Sequence, residues 1–219
     1  MTIWFATGNL HKKAELAAIL NDHGCDCTLL VPADAGLDFD PDETESTFCG
    51  NALLKARTLH ALLEQRRPSL YTHGDPVIAD DSGICVDALN GRPGVYSARY
   101  AGPQAAGAVE TSPNAKLSSP ERNALLLGEL GNNPLRTARF VCAMTLLFSP
   151  DRFFTAQETC EGEMVKSIEC GRGTGGFGYD PILFIPEYGK TVAELSEEEK
   201  NRISHRGKAG KIIAAVLRE

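Results

Sequence analysis

Pro76-Val77-Ile78-Ala79-Asp80-Asp81-Ser82-Gly83 is the stretch on which the fold turns. The apolar run reads as a short buried strand, and it stops at two carboxylates, a hydroxyl and a glycine. Adjacent anions repel, so putting them at the mouth of a core strand is favourable only where a cation or a proton sits beside them. Side chains alternate between the faces of a strand, so Asp80 and Asp81 are expected to differ in role unless the backbone kinks at Gly83. One is read as a magnesium ligand and water activator, the other as its neighbour. The plain alternative for this segment is a polar turn opened by an Asx cap.

Upstream, Ile3-Trp4-Phe5-Ala6 is a short apolar strand, and Thr7-Gly8-Asn9 turns it into a helix over residues 10–21 with Leu16, Ile19 and Leu20 as its buried stripe. A strand, a glycine turn and a helix N-terminus together offer N–H groups and a positive dipole end to an anion. Lys12 stands in the first turn, where a cation is unfavourable to the helix unless an anion binds there. The alternative is an Asn-capped surface helix with solvated lysines. Pro41-Asp42-Glu43-Thr44-Glu45-Ser46-Thr47 precedes a helix over residues 48–64, with Phe48, Ala52, Leu59 and Leu63 inward and Asn51 and Lys55 sharing another face. Acids before a helix serve as caps and dipole complements. In the functional alternative Glu43 completes a metal shell with the Asp80-Asp81 pair. Residues 66–75 read as a surface loop.

Downstream, residues 84–89 are followed by a loop through Tyr100, whose glycines and proline set a backbone path that leaves Ser97 and Arg99 to make contacts. Residues 102–119 carry few large apolar side chains and are expected to be a mobile excursion. A helix over 120–130 has Ala124, Leu127 and Leu130 on one face; strands over 137–148 and 152–161 form a hairpin about Ser149-Pro150-Asp151, and a further strand is predicted over 164–170. Gly171-Arg172-Gly173-Thr174-Gly175-Gly176 satisfies G-x-G-x-x-G, but Gly178 and Pro181 follow where a helix must start, so it is not a dinucleotide fingerprint. Gly189-Lys190-Thr191 copies the end of a P-loop, yet Phe184 occupies the place of its first glycine. Between them, Thr174-Gly175-Gly176-Phe177-Gly178-Tyr179-Asp180-Pro181 lets the backbone approach a flat ligand: Phe177 or Tyr179 could stack on a base and Asp180 accept from an N–H; in the alternative the aromatics only plug a core. Ser196-Glu197-Glu198-Glu199 is a capping box for a helix over 197–202 that carries Lys200. Ser204-His205-Arg206-Gly207 interrupts it as a turn, and a last helix buries Ala209, Ile212, Ile213, Val216 and Leu217. His205 and Arg206 join Lys200 and Lys208 in a locally basic tract that favours anion or oxo-group recognition.

With 219 residues, 42% of them apolar, the chain can bury a large core as one α/β domain or two packed lobes. A net charge of −7 argues against a nucleic-acid backbone as partner. No apolar run approaches a membrane span, and the chain opens on a strand rather than on a basic and then apolar leader, so a cytoplasmic protein without membrane contact is expected. Seven scattered cysteines fit reduced thiols, and Cys25-Asp26-Cys27 lacks the spacing and the partner pair of a zinc knuckle.

Taken together these blocks resemble the Ham1-like family of inosine/xanthosine triphosphate pyrophosphatases. The matching residues are Ala6-Thr7-Gly8-Asn9-Leu10-His11-Lys12, then Glu43-Thr44 through Thr47-Phe48 to Asn51-Ala52-Leu53-Leu54-Lys55-Ala56. Ala79-Asp80-Asp81-Ser82-Gly83, Gly94-Val95-Tyr96-Ser97-Ala98-Arg99-Tyr100, Gly175-Gly176-Phe177-Gly178-Tyr179-Asp180-Pro181 and Ser204-His205-Arg206-Gly207 follow in family order. The resemblance implies a single catalytic domain over 1–219 with an elongated two-lobed α/β fold, a long mixed sheet flanked by helices, and an active cleft between the lobes. It implies magnesium-dependent hydrolysis of dITP, ITP or XTP to the monophosphate and pyrophosphate by a homodimer. Carried over by position, Thr7, Gly8, Asn9, Leu10, His11, Lys12 and Lys55 bind substrate, chiefly its triphosphate, and Glu43 and Asp81 hold the metal. Asp81 is also the general base, with Asp80 and Lys12 in the catalytic set and Ser82 on the substrate. Phe177, Gly178, Tyr179, Asp180, Lys200, His205 and Arg206 meet the base. A pyrophosphatase for modified pyrimidine nucleotides and a noncatalytic nucleotide sensor are the rival readings. Residues 73–75 and 104–118 depart from the family pattern as insertions.

Overall fold

The structure, a computed structural model, describes residues 1–102 and 117–219. It is a mixed α/β fold with a seven-stranded sheet in the order β2-β1-β3-β4-β5-β6-β7. The strands are β1 (Thr2–Phe5), β2 (Thr28–Leu30), β3 (Val77–Val86), β4 (Thr137–Ser149), β5 (Arg152–Met164), β6 (Leu183–Ile185) and β7 (Lys190–Thr191). The helices are α1 (Leu10–Asp22), α2 (Phe48–Arg66), α3 (Ser119–Leu130), α4 (Glu197–Ile203) and α5 (His205–Leu217). The chain divides into two compact units, one of Met1–Ser82, Val141–Thr159 and Asn201–Glu219, the other of Gly83–Phe140 and Cys160–Lys200.

In the first unit β1 runs parallel to both β2 and β3, with Phe5 opposite Ile78. Both of its faces are covered, which is why the strand reads as an uninterrupted apolar run. Ile3, Phe5 and Ile78 pack with Leu16 and Leu20 of α1 and Ala209 and Ile213 of α5. Trp4, Val77 and Ala79 pack with Ala56, Leu59 and Leu63 of α2. Asn9 starts α1, its Oδ1 accepting from the N–H groups of His11 and Lys12 at 2.9 and 3.3 Å. Thr47 caps α2 by accepting from Gly50 N–H at 3.0 Å. Gly210 of α5 lets that helix close on α1, since a Cβ there would lie 2.8 Å from Ile19. The loop before β3 is tied down by Asp75, which accepts from the Trp4 indole at 3.2 Å and from Thr72 N–H at 2.9 Å.

The second unit contains the continuation of β3, where Gly83 fulfils a steric requirement rather than a kink. A Cβ there would sit 2.4 Å from both Gly94 O and Ser97 Oγ, and Ser97 Oγ accepts from Ile84 N–H at 2.9 Å. The short helical turn Gly94–Arg99 is thereby seated on the strand. On α3 the buried residues are Asn123, Leu126, Leu127 and Leu130, whereas Ala124, predicted to face inward, is exposed.

Other expectations are corrected as well. The strand does not end at the acids: β3 continues through both of them to Val86. No strand covers 164–170; β5 runs on to Met164, and Ile168–Cys170 is a short helical turn. The strands β2, β6 and β7 escape sequence reading because three or two residues cannot display a period of two. The insertion expected at 104–118 lies almost wholly outside the described residues.

Candidate active site

β1 lies between β2 and β3 in the sheet; the chain leaving β1 runs to β2, whereas β3 leads on to β4. In open α/β sheets ligands gather beside such a reversal, beyond the carboxyl end of the strand. Asp80 and Asp81 come just after Ile78, the partner of the last residue of β1, and therefore border that position.

Strand alternation sends the two acids to opposite faces, as the unkinked backbone requires. Asp80, 1% exposed, follows Ile78 toward α1 and α5. Both of its oxygens accept from Lys12 Nζ at 2.9 Å, and its Oδ2 accepts from Arg206 Nη2 at 3.0 Å and Nε at 3.3 Å. Arg206 also donates to Ser82 Oγ at 3.0 Å and to Glu15. Burial disfavours the charged carboxylate, but Lys12, Arg206 and Lys55 outweigh it and hold Asp80 well below the usual carboxylate range. Arg206 is shifted the other way: burial opposes its charge, and Asp80 and Glu15 more than restore it.

Asp81 follows Val77 and Ala79 toward α2. It accepts from Asn51 Nδ2 at 3.2 Å and from Lys55 Nζ at 3.2 Å, and the same ammonium donates to Glu43 Oε1 at 2.8 Å. Burial raises the Asp81 carboxyl above its usual value, Lys55 pulls it back, and Glu43 pushes it up again. Lys55 is itself raised, because Asp81, Asp80 and Glu43 overcome the effect of burial. The two faces of β3 thus differ in charge balance. Asp80 has Lys12 and Arg206; Asp81 and Glu43 share Lys55. Glu43 and Asp81 are a pair of oxygen donors already converging on a cation, the chemistry a hard divalent ion asks for. Among the described residues no group of three or more His, Cys, Asp or Glu is gathered so that it could hold a metal ion.

In the first unit the structure brings Lys12, Asp80, Ser82 and Arg206 into one hydrogen-bonded network and Lys55, Glu43 and Asp81 into another, on opposite faces of β3. Thr7 and Asn9 shape the turn ahead of α1, Thr7 Oγ1 accepting from Asn9 N–H at 3.1 Å, while Gly8, Leu10 and His11 are exposed. Since Asn9 Oδ1 already occupies the His11 and Lys12 N–H groups, the helix N-terminus is less open to an anion than its sequence implied. His205 and Arg206 are not on a turn. They form the first turn of α5, buried, behind the Ser204 cap. Glu15, the further partner of Arg206, has one sequence signal, its place three residues after Lys12 on the same helix face.

The second unit holds the other set. Asp180 Oδ2 accepts from Phe177 N–H at 2.9 Å and from Lys200 Nζ at 3.0 Å, and that ammonium stands 5.3 Å from the centre of the Phe177 ring. Tyr179 is a core residue rather than a stacking platform: it is buried and its hydroxyl donates to Ser97 O at 2.8 Å. The rejected motifs have structural explanations. A Cβ on Gly173 would meet the Ala193 carbonyl carbon at 2.4 Å, and Lys190 pairs with Glu199 at 2.9 Å.

The model of the Ham1 family matches residues 3–216. A Treponema denticola protein called dITP/XTP pyrophosphatase is 44% identical over 209 residues, covering 95% of this chain and 94% of its own. A Shigella flexneri protein of the same name is 43% identical over 216 residues, covering 97% and 96%. The solved structure of the Staphylococcus aureus Ham1 protein superposes with a TM-score of 0.77 at 36% identity, covering 100% of this chain and 98% of that one. A match extending from β1 to α5 in both sequence and fold means that the chain belongs to the Ham1 family.

Proposed function

We propose that the chain is a nucleoside triphosphate pyrophosphohydrolase that cleaves non-canonical purine nucleotides, dITP, ITP and XTP, to the monophosphate and pyrophosphate. The observation that carries the mechanism is the unequal charge balance across β3, with Lys12 and Arg206 set against Asp80 and Glu15 on one face and Lys55 shared by Asp81 and Glu43 on the other.

Lys12 and Lys55 draw the triphosphate to the carboxyl end of β1 and offset its charge, with Thr7 and Asn9 shaping the turn that receives it. Asp81, the carboxylate that burial and Glu43 make the better proton acceptor, takes a proton from water as the water oxygen bonds to the α-phosphorus. The bond from the α-phosphorus to the bridging oxygen breaks, and pyrophosphate leaves with its electron pair. Glu43 and Asp81 would hold magnesium, which supplies charge neutralisation on the phosphate oxygens when bound. Asp80 stays ionised between Lys12 and Arg206 and keeps both in place. Phe177 with Asp180 and Lys200 meets the base, where donors directed at a 6-oxo group disfavour the 6-amino group of adenine. The working form is a cytoplasmic homodimer; no helix among the described residues is long and apolar enough to cross a membrane.

The test is a panel of dITP, XTP, dATP, dGTP and modified pyrimidine triphosphates, assayed for pyrophosphate and orthophosphate together. Pyrophosphate release from dITP and XTP at rates at least ~10-fold above dATP is expected. Chelation of divalent ions should stop it and magnesium restore it. Orthophosphate as the first product, or preference for a pyrimidine, would overturn the proposal.

A further inference from the structure

We propose that Asn123 is a positioning residue that fixes the base-recognition segment by holding the Gly178 carbonyl through its side-chain amide. The proposal rests on the function given above and on Phe177, Asp180 and Lys200 meeting the base.

Asn123 sits at the head of the buried stripe of α3, in line with Leu126, Leu127 and Leu130, and is 3% exposed. Its Nδ2 donates to Gly178 O at 3.1 Å, while its Oδ1, also buried, has no hydrogen-bond partner among the described residues. Leaving an acceptor buried and unmatched is unfavourable, and a leucine would continue the stripe without that cost. The residue type is therefore explained by the bond it donates rather than by the core it fills.

Gly178 needs an external hold. It has φ +66° and Gly176 has φ +70°, conformations in which glycine backbone is stable but weakly restrained. On either side the chain is secured by other contacts: Phe177 N–H to Asp180, and the Tyr179 hydroxyl to Ser97 O. The Asn123 bond sets the peptide plane between them, and with it the attitude of the Phe177 ring relative to the Lys200 ammonium and the Asp180 carboxylate. Losing it should loosen the hold on the base and leave the phosphate chemistry of Asp81, Glu43 and Lys55 in place.

The experiment compares wild type, N123D, which keeps the shape but turns an acceptor toward the carbonyl, and N123L, which removes the donor. Steady-state kinetics with dITP and dATP are measured on each, with circular dichroism to confirm the fold. KM for dITP is expected to rise about tenfold while kcat stays within about twofold, and the dITP-to-dATP ratio of kcat/KM should fall, the size of one lost directed hydrogen bond. If the wild type shows no preference for dITP, the functional reading itself fails and this proposal with it. If the wild type discriminates and folded N123D and N123L keep their KM and ratio within about twofold, only the positioning role is overturned. Parallel loss of activity on both nucleotides, or loss of native circular dichroism in both variants, makes Asn123 a structural residue and overturns it equally.

Discussion

Asp80→Asn and Asp81→Asn alter adjacent residues of one strand, and the charge balance predicts opposite outcomes. Asp80 accepts from Lys12 and Arg206 while almost wholly buried, so the substitution leaves both cations facing an amide that cannot neutralise them. Removing one partner of a buried pair costs about 3–5 kcal/mol. The Lys12 side chain is 17% exposed and can turn to water, whereas that of Arg206, at 3%, cannot, although it keeps its bonds to Glu15 and Ser82 Oγ. The lower end, about 3 kcal/mol, is therefore expected. With a urea dependence of about 2–3 kcal/mol per molar for a chain of this size, the unfolding midpoint should fall by about 1–1.5 M. Asp81 is different. Burial and Glu43 already make its charge unfavourable, so at neutral pH the asparagine should leave stability within about 1 kcal/mol of wild type or raise it. Turnover of dITP should nevertheless drop by at least ~10²-fold, as for a lost general base. Urea titration by circular dichroism, with pyrophosphate release on the same preparations, decides. A midpoint for Asp80→Asn within about 0.3 M of wild type, or near-normal turnover in Asp81→Asn, would refute the charge argument.

Gly83→Ala drives a methyl group against Gly94 O and Ser97 Oγ, and it should cost about 1–3 kcal/mol and lower the thermal midpoint by several degrees; a midpoint within about 1 °C of wild type would show that the Gly94–Arg99 turn yields freely. Asp34 accepts from Lys13 and from Val31 N–H and its carboxyl lies below the usual range, so its contribution is present above the unfolded pKa of about 3.9 and is lost as pH falls through the lower folded value. Asp34→Asn should then be less stable than wild type at pH 7 by about 0.5 kcal/mol, allowing for solvent screening, with the gap closing below about pH 4 and shrinking in high salt; a gap that widens on acidification contradicts it. Ser204→Ala removes the cap that accepts from Gly207 N–H at the head of α5 and should cost about 1 kcal/mol in urea unfolding, with no change if the helix start is held by Arg206 alone.

Much of the site was legible residue by residue because its chemistry depends on local spacing. The strand, turn and helix that carry Thr7, Asn9 and Lys12, the shared face of Asn51 and Lys55, and the capping box at Ser196 all follow from periods of two or 3.6 and from cap preferences. Reading the acids as the end of a strand was mistaken because a pair of charges looks like a boundary, whereas here Lys12, Arg206 and Lys55 make a buried continuation tolerable. The sequence leaves Tyr179 open between stacking and core and gives Asn123 no mark, for the same reason from the other side: their partners, Ser97 O and Gly178 O, are backbone groups that carry no signal in a sequence.

By itself the sequence determined that Asp80 and Asp81 differ in role so long as the strand stays unkinked at Gly83, that an apolar strand precedes the first helix, and that Lys12 and Lys55 stand on the first two helices, since these are consequences of backbone geometry over a few residues. Only the tertiary structure decided which acid received which cations. Arg206 reaches Asp80 across 126 positions of chain and Lys55 reaches Asp81 across 26, and such pairings arise from the packing of α1 and α5 on one face of β3 and α2 on the other. Coulomb energy depends on distance in space, so the division between the carboxylate that is held charged and the one poised to accept a proton came into existence with the fold.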